Sequence, residues 1–143
     1  MTSLGLLLRR RSFGLVWTGG LISMVGDWIL WIALPVRVFE LTGSAFATGL
    51  LVAARLAPEI VLGTVAGVFV DRWDRRRVLV VANVVQAAAL LPLLLVDSAA
   101  AVWIAYPVMA VSAVLFAFSE PAENAYLPRL VDRSELPEAN ALN

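Results

Sequence analysis

Four apolar stretches, each long enough to cross the hydrocarbon layer of a bilayer, leave this chain few folds to choose from. A membrane-crossing helix needs about 20 mostly apolar residues. The stretches run over residues 13–39, 45–70, 78–96 and 100–119. Between them lie Leu41-Thr42-Gly43-Ser44, the charged run Asp71-Arg72-Trp73-Asp74-Arg75-Arg76-Arg77, and Asp97-Ser98. Each stretch is apolar all round, as expected of a helix with no water-facing side, and several times longer than an ordinary strand. The predicted class is an all-α polytopic membrane protein with four transmembrane helices. The lipid bilayer is its first partner.

Composition agrees and removes other functions. The 143 residues are 61% hydrophobic and 15% charged, with mean hydropathy +0.86. A soluble domain is about half apolar and about a quarter charged, so this chain cannot coat itself with polar surface. With no cysteine and no histidine, disulfide scaffolds, thiolate sites and the usual zinc, haem and serine-hydrolase constellations lose a required group. No metal, no cofactor and no enzymatic activity are expected. There is no phosphate-binding glycine loop to support ATP-driven work. A short arginine cluster is all that favours nucleic acid, and none is expected as a partner.

The arginines set the direction of insertion. Arg9, Arg10 and Arg11 precede the first span, Arg72, Arg75, Arg76 and Arg77 separate the second from the third, and Arg129 and Arg133 follow the fourth. If four helices alternate, all of these fall on one side, and the opposite loops hold none. The positive-inside rule then places both ends in the cytoplasm of a cell membrane. Residues 1–12 read as a cytoplasmic tail and not as a secretory signal, because the arginines follow a short Leu run and no small-residue cleavage site closes it. Residues 120–143 read as a cytoplasmic or interfacial segment, with a short helix over 134–141 capped by Ser134. The segment leads towards a fifth helix.

The run from Gly67 through Asp71, Arg72, Arg75, Arg76 and Arg77 resembles the signature loop of the major facilitator superfamily, which joins the second and third helices of that fold. Asp74 stands where the family has a second glycine, so a tight glycine turn is not assured. Further residues resemble the drug-, macrolide- and siderophore-efflux branch. These are Phe13, Trp17, Gly19, Gly20, Ser23, Gly26 and Asp27 in the first span, the turn at 41–44, and the stretches 127–131, 135–136 and 139–143. The resemblance implies the first four helices of a twelve-helix fold that binds substrate between two halves. The complete protein would export a small amphipathic compound against protons by alternating access. Its partners would be that substrate, protons, and the remaining helices or a second copy. It also implies that Asp71 pairs across the loop to latch the outward-open state.

From charge alone, the Asp71 carboxylate can pair with Arg72, Arg75 or Arg76, or the arginines can simply fix topology and touch anionic headgroups. Gly63 and Gly67 form a small-xxx-small pair that lets a helix approach closely. Inside the spans, Asp27, Arg55 and Glu59 are the candidates for a transport pathway and proton coupling, because charge in hydrocarbon is costly and marks function by default. At ~1.5 Å per residue, Asp27 and Arg55 lie at nearly equal depth on consecutive antiparallel helices, and Glu59 is one turn from Arg55. Either carboxylate can pair with Arg55 and leave the other to titrate. The competing reading is a satisfied network that only joins the two spans. Trp17, Trp73 and Trp103 read as interfacial anchors, and Pro58, Pro92 and Pro107 as possible kinks. Gly19, Ser23 and Gly26 read as a packing face, and Asn83 and Gln86 as partners of a neighbouring helix.

Two other readings fit the length: a self-contained four-helix exporter that works as a dimer, and a truncated, non-transporting membrane module. The reading frame downstream of Asn143 separates them from the longer transporter. Alone, the segment is expected to aggregate in detergent, because its small-residue and polar faces call for partner helices.

Overall fold

The computed structural model describes residues 11–126 and residue 130. The expected helix over 134–141, the stretches after residue 126 that carry part of the resemblance, Arg9, Arg10, Arg129 and Arg133 lie outside the described residues.

The described residues are helical, with no strand among them. Helix α1 spans Arg11–Thr42, α2 Ala45–Val70, α3 Arg75–Leu90 and α4 Ala105–Tyr126. Two 3₁₀ segments, Leu91–Leu95 and Ala99–Ile104, join α3 to α4. With these extensions the apolar spans are Phe13–Thr42, Ala45–Val70, Arg75–Leu95 and Ala99–Tyr126, each long enough to cross a membrane.

Local chemistry explains each boundary. Helix α1 runs past residue 39 to Thr42, and Gly43 then takes φ +62°, a left-handed conformation suited to glycine. The Gly43 amide donates to the Phe39 carbonyl at 2.7 Å, and the Ser44 hydroxyl accepts from the Ala47 amide at 3.2 Å to begin α2. The reversal takes two residues, which forces α1 and α2 to lie antiparallel.

At the charged loop, Asp74 does what no glycine could. Its carboxylate accepts from the Arg77 amide at 2.9 Å and caps α3, so the helix begins at Arg75 rather than at residue 78. Three arginines in a first turn oppose the helix dipole, and the Asp74 and Asp71 carboxylates offset that cost. The turn is made with no residue other than Gly43 at positive φ among the described residues.

The prolines behave according to position. Helix α2 is continuous through Pro58. Pro92 starts the 3₁₀ segment that ends the third span. Pro107 occupies the first turn of α4, where its missing amide costs nothing. Pro121 is inside α4, which continues to Tyr126 rather than ending at residue 119. Burial of Ala122 and the seat of Glu123 against α1 hold this last turn in place.

Helix α4 is central and packs along both α2 and α3, with α1 laid against α2. The apolar core gathers at the Gly43 end: Leu34 and Val38 of α1, Leu51 of α2, Val96, Val102, Ala105 and Met109. Tyr106 ties α4 to α2 by donating to the Ala47 carbonyl at 3.3 Å. The many large apolar side chains left outside, Phe46, Ile60 and Leu94 among them, are what hydrocarbon solvates. In lipid, moving a side chain from core to surface changes its solvation little, so packing dominates. Leu51→Ala should therefore cost about 2 kcal/mol, the low end for buried leucines. Ile60→Ala should cost under about 0.5 kcal/mol, the range of surface changes. Unfolding of the membrane-extracted protein in mixed micelles checks the difference, and equal costs would mean that the core is misassigned.

Candidate functional site: a polar cavity within the helical bundle

Towards the other end the helices part around a half-open cavity of about 550 Å³. Each helix contributes a stripe at heptad-like spacing: Trp17, Gly20, Asp27 and Trp31 from α1, Arg55 and Glu59 from α2, Leu79, Ala82 and Gln86 from α3, and Ser112, Phe116, Ser119 and Glu123 from α4. The spans are thus not apolar all round. Each hides a few polar positions on one face.

Arg55 is the most constrained of these groups. Only 8% of it is exposed. Its guanidinium carbon lies 5.8 Å from the centre of the Trp31 ring and 5.4 Å from that of Phe116, within cation–π range of both. Its Nε is 3.9 Å from a Glu59 carboxylate oxygen, an ion pair too long to be a hydrogen bond. Of the two carboxylates considered from sequence, Glu59 is the paired one. Asp27 faces the same cavity and feels the Arg55 charge without forming an ion pair with it. The three charged residues predicted for the membrane interior therefore do come together.

Polar groups complete the wall. Gln86 donates from its amide nitrogen to the Ser112 hydroxyl at 3.1 Å, joining α3 to α4, while its amide oxygen is buried with no hydrogen-bond partner. Asn83 donates to the Leu79 carbonyl of its own helix at 2.8 Å and also lines the cavity, so it does not bond the neighbouring helix. Trp17 lines the cavity as well, where an interfacial anchor had been expected. Ser23 does the same, and Gly19 and Gly26 have open space beside them instead of a packed neighbour.

The charged loop sits beyond this end of the cavity. An Arg75 guanidinium nitrogen approaches the Asp71 carboxylate to 3.3 Å, which selects Arg75 from the three arginines considered. Trp73 stacks on Phe118 of α4 with centroids 5.9 Å apart and meets Phe69 in a tilted contact at 6.0 Å. Its place is against α4. Trp73 and Trp103 both stay more than half exposed. Nothing lies within 4 Å of a side chain built at Gly63 or Gly67, so the predicted close approach has no partner among the described residues.

Glu123 is the residue that sequence reasoning missed. It had been assigned to the segment after the last span, because Glu120 and Pro121 read as the end of the helix. Its carboxylate lies directly against Gly20 of α1, where a methyl group would collide with it. The signal was present: Ser112, Phe116, Ser119 and Glu123 continue one helix face at spacings of four, three and four.

The fold and cavity define a class, a multi-pass helical membrane protein with a small polar chamber inside its bundle. Residues 16–143 match the Major Facilitator Superfamily, and the chain belongs to this family of membrane transporters. Macrolide efflux protein A of Streptococcus pyogenes is 32% identical over 127 residues, which cover 87% of this chain and 31% of that protein. An uncharacterized MFS-type transporter of Bacillus subtilis, YfiS, is 29% identical over 119 residues, 82% of this chain and 28% of that protein. The chain thus spans about a third of the length of the curated relatives it matches. No solved structure matches it significantly.

The contact between Glu123 and Gly20 yields a stability test. Gly20→Ala pushes aside only the tip of a flexible side chain, while alanine favours the helix by about 1 kcal/mol. The variant should therefore unfold within about 1 kcal/mol of wild type. A bulkier Gly20→Leu should lower the thermal midpoint clearly, since overpacking costs about 1–3 kcal/mol. Equal midpoints for all three proteins would show that Glu123 does not pack there.

Proposed function

We propose that this chain is the N-terminal part of a secondary active transporter that exports a small amphipathic compound from the cell in exchange for protons. The observation that carries the reading is a buried Arg55 held by Glu59 and two aromatic rings, with Asp27 unpaired opposite it in a chamber of drug-sized volume. The family supports transport, and the name of the Streptococcus relative supports efflux and a macrolide-like substrate. Asp27 and Glu59 are the candidate proton carriers. In alternating access, protonating Glu59 would release Arg55 to the other carboxylate, so loading a proton rearranges the wall that touches substrate.

The loop is the second working part of this proposal. Asp71 and Arg75 form the latch, with Gly67, Arg72 and Arg76 as supporting positions, and it loosens as the halves of the transporter rock. The arginine-bearing end faces the cytoplasm of a cell membrane, as the positive-inside rule favours. The bare faces at Gly63 and Gly67 suit further helices of the same protein. They equally suit a second copy, the arrangement of a self-contained dimeric exporter.

Two experiments test the proposal in inverted vesicles from cells that express the intact reading frame. Asp27→Asn and Glu59→Gln, made separately, should each lower proton-driven uptake of a labelled macrolide or an amphipathic dye at least tenfold. If both variants keep wild-type rates, neither carboxylate carries the coupling proton. Asp71→Asn should leave substrate binding within about twofold and cut transport severalfold, because it frees the latch and leaves the chamber intact. Unchanged transport with a weakened binding constant would assign Asp71 to the site instead.

A further inference from the structure

In an exchanger, a proton bound at Asp27 has to leave the chamber before the next cycle, and the way out is too long for one step. Glu123 of α4 marks the mouth: it lines the cavity at the end nearest the charged loop, pressed against Gly20 of α1. Asp27 is seven residues further along α1 from Gly20, about 10 Å deeper at ~1.5 Å per residue. A proton moves by one hydrogen bond at a time, about 2.7 Å between oxygens. Several carriers must therefore stand between Asp27 and the mouth.

Two facing helices supply them. On α1, Gly20, Ser23 and Asp27 follow spacings of three and four and so share one face, which puts the Ser23 hydroxyl between the two ends. On α4, Ser119 lies one turn from Glu123 on the chamber wall. The cavity of about 550 Å³ has room for water, at about 30 Å³ a molecule, to complete the file. Glu123 is suited to be its last member. It is partly buried, and among the described residues no basic side chain pairs with it. The other ionisable groups of the chamber are Glu120 of the same helix, Asp27 of α1, and Arg55 and Glu59 of α2, which pair with each other; α3 contributes none. Glu120 is more exposed, at the rim, which leaves Glu123 as the sheltered acid between Asp27 and the mouth.

We propose that Glu123 is a proton-exit relay: Asp27 gives up its proton through Ser23 and chamber water to the Glu123 carboxylate, which passes it to water outside the mouth. The inference rests on the proton-exchange reading of Asp27 and adds the route by which that proton leaves. The transfer balances without a co-reactant. One O–H bond breaks at Asp27 and one forms at Glu123, and each hydroxyl or water between them takes one proton as it gives one up. The Glu123 O–H then breaks, leaving hydronium outside and both acids as carboxylates. The Glu123 contact with Gly20 holds the relay on the α1 side, in line with Ser23.

Two assays in inverted vesicles of the intact transporter separate proton release from the rest of the cycle. Uptake of a labelled macrolide or an amphipathic dye, driven by a proton gradient, needs a proton released in every turn. Exchange of labelled for unlabelled compound at zero gradient does not. Glu123→Gln should lower driven uptake at least fivefold and leave exchange within about twofold of wild type. Its driven uptake should also slow about twofold or more in deuterated buffer, beyond any slowing of wild type, because proton transfer now limits the cycle. Glu123→Asp, which keeps a carboxylate, should recover most of the driven rate. Glu40→Gln, at the far end of α1 and outside the chamber, should change neither assay. If Glu123→Gln fails to reach the membrane, Gly20→Ala replaces it, since it displaces the carboxylate without removing it and should show the same split. Equal losses in both assays with no added isotope effect make Glu123 a packing residue and overturn the relay. Driven uptake at the wild-type rate overturns it too, and in both cases export stands. If wild type drives uptake of neither probe, or drives it without need of the proton gradient, the proton-exchange reading and the relay fall together.

Discussion

A guanidinium buried inside a bundle of membrane-spanning helices sets the terms for the rest of the molecule. A lone arginine at the middle of a spanning helix costs about 3 kcal/mol on insertion scales. Its compensation comes from three helices at once: Trp31 of α1, Glu59 of α2 and Phe116 of α4. Sliding α1 or α4 along α2 would move an aromatic ring off the guanidinium, so these contacts favour one relative depth of the three helices.

That constraint divides the bundle along its length. At the Gly43 end the helices close on a dry core, because the two-residue turn holds α1 and α2 together and small residues of α4 let its neighbours come near. At the charged-loop end the same helices are held apart by side chains that need polar company. The chamber is what remains between them. The polar stripe lines this cavity together with Trp17, Trp28, Leu56 and Phe116.

Much of this was legible in the sequence, for physical reasons. Length and hydropathy are sufficient to place spanning helices, because a bilayer has one thickness and no water to satisfy a broken backbone. The shared depth of Asp27 and Arg55 followed from helical rise alone, and so did the reach of Glu59. Choices among equivalent partners were not legible. Asp71 could have met any of three arginines, and only the start of α3 at Arg75 decided it, through a cap at Asp74 that had looked like a missing glycine. The end of α4 was misread because Pro121 and two glutamates look like a helix stop in a sequence window. Burial of Ala122 and the contact with Gly20 outweigh that local signal. The inward turn of Trp17 was not legible either: position along a span gives depth, and which face turns inward emerges only once four helices are packed.

The loop and the chamber also share a helix. Phe116, which covers Arg55, and Phe118, on which Trp73 stacks, are two residues apart on α4 and point away from each other. Within a regular helix such neighbours move as one body. A shift of α4 large enough to uncover Arg55 would also move Phe118 relative to Trp73. The aromatic contacts beside the Arg55–Glu59 pair and those beside the Asp71–Arg75 loop thus share a single turn of α4. The link consists of aromatic contacts, which shift as units when the helix moves, and not of long flexible ion pairs.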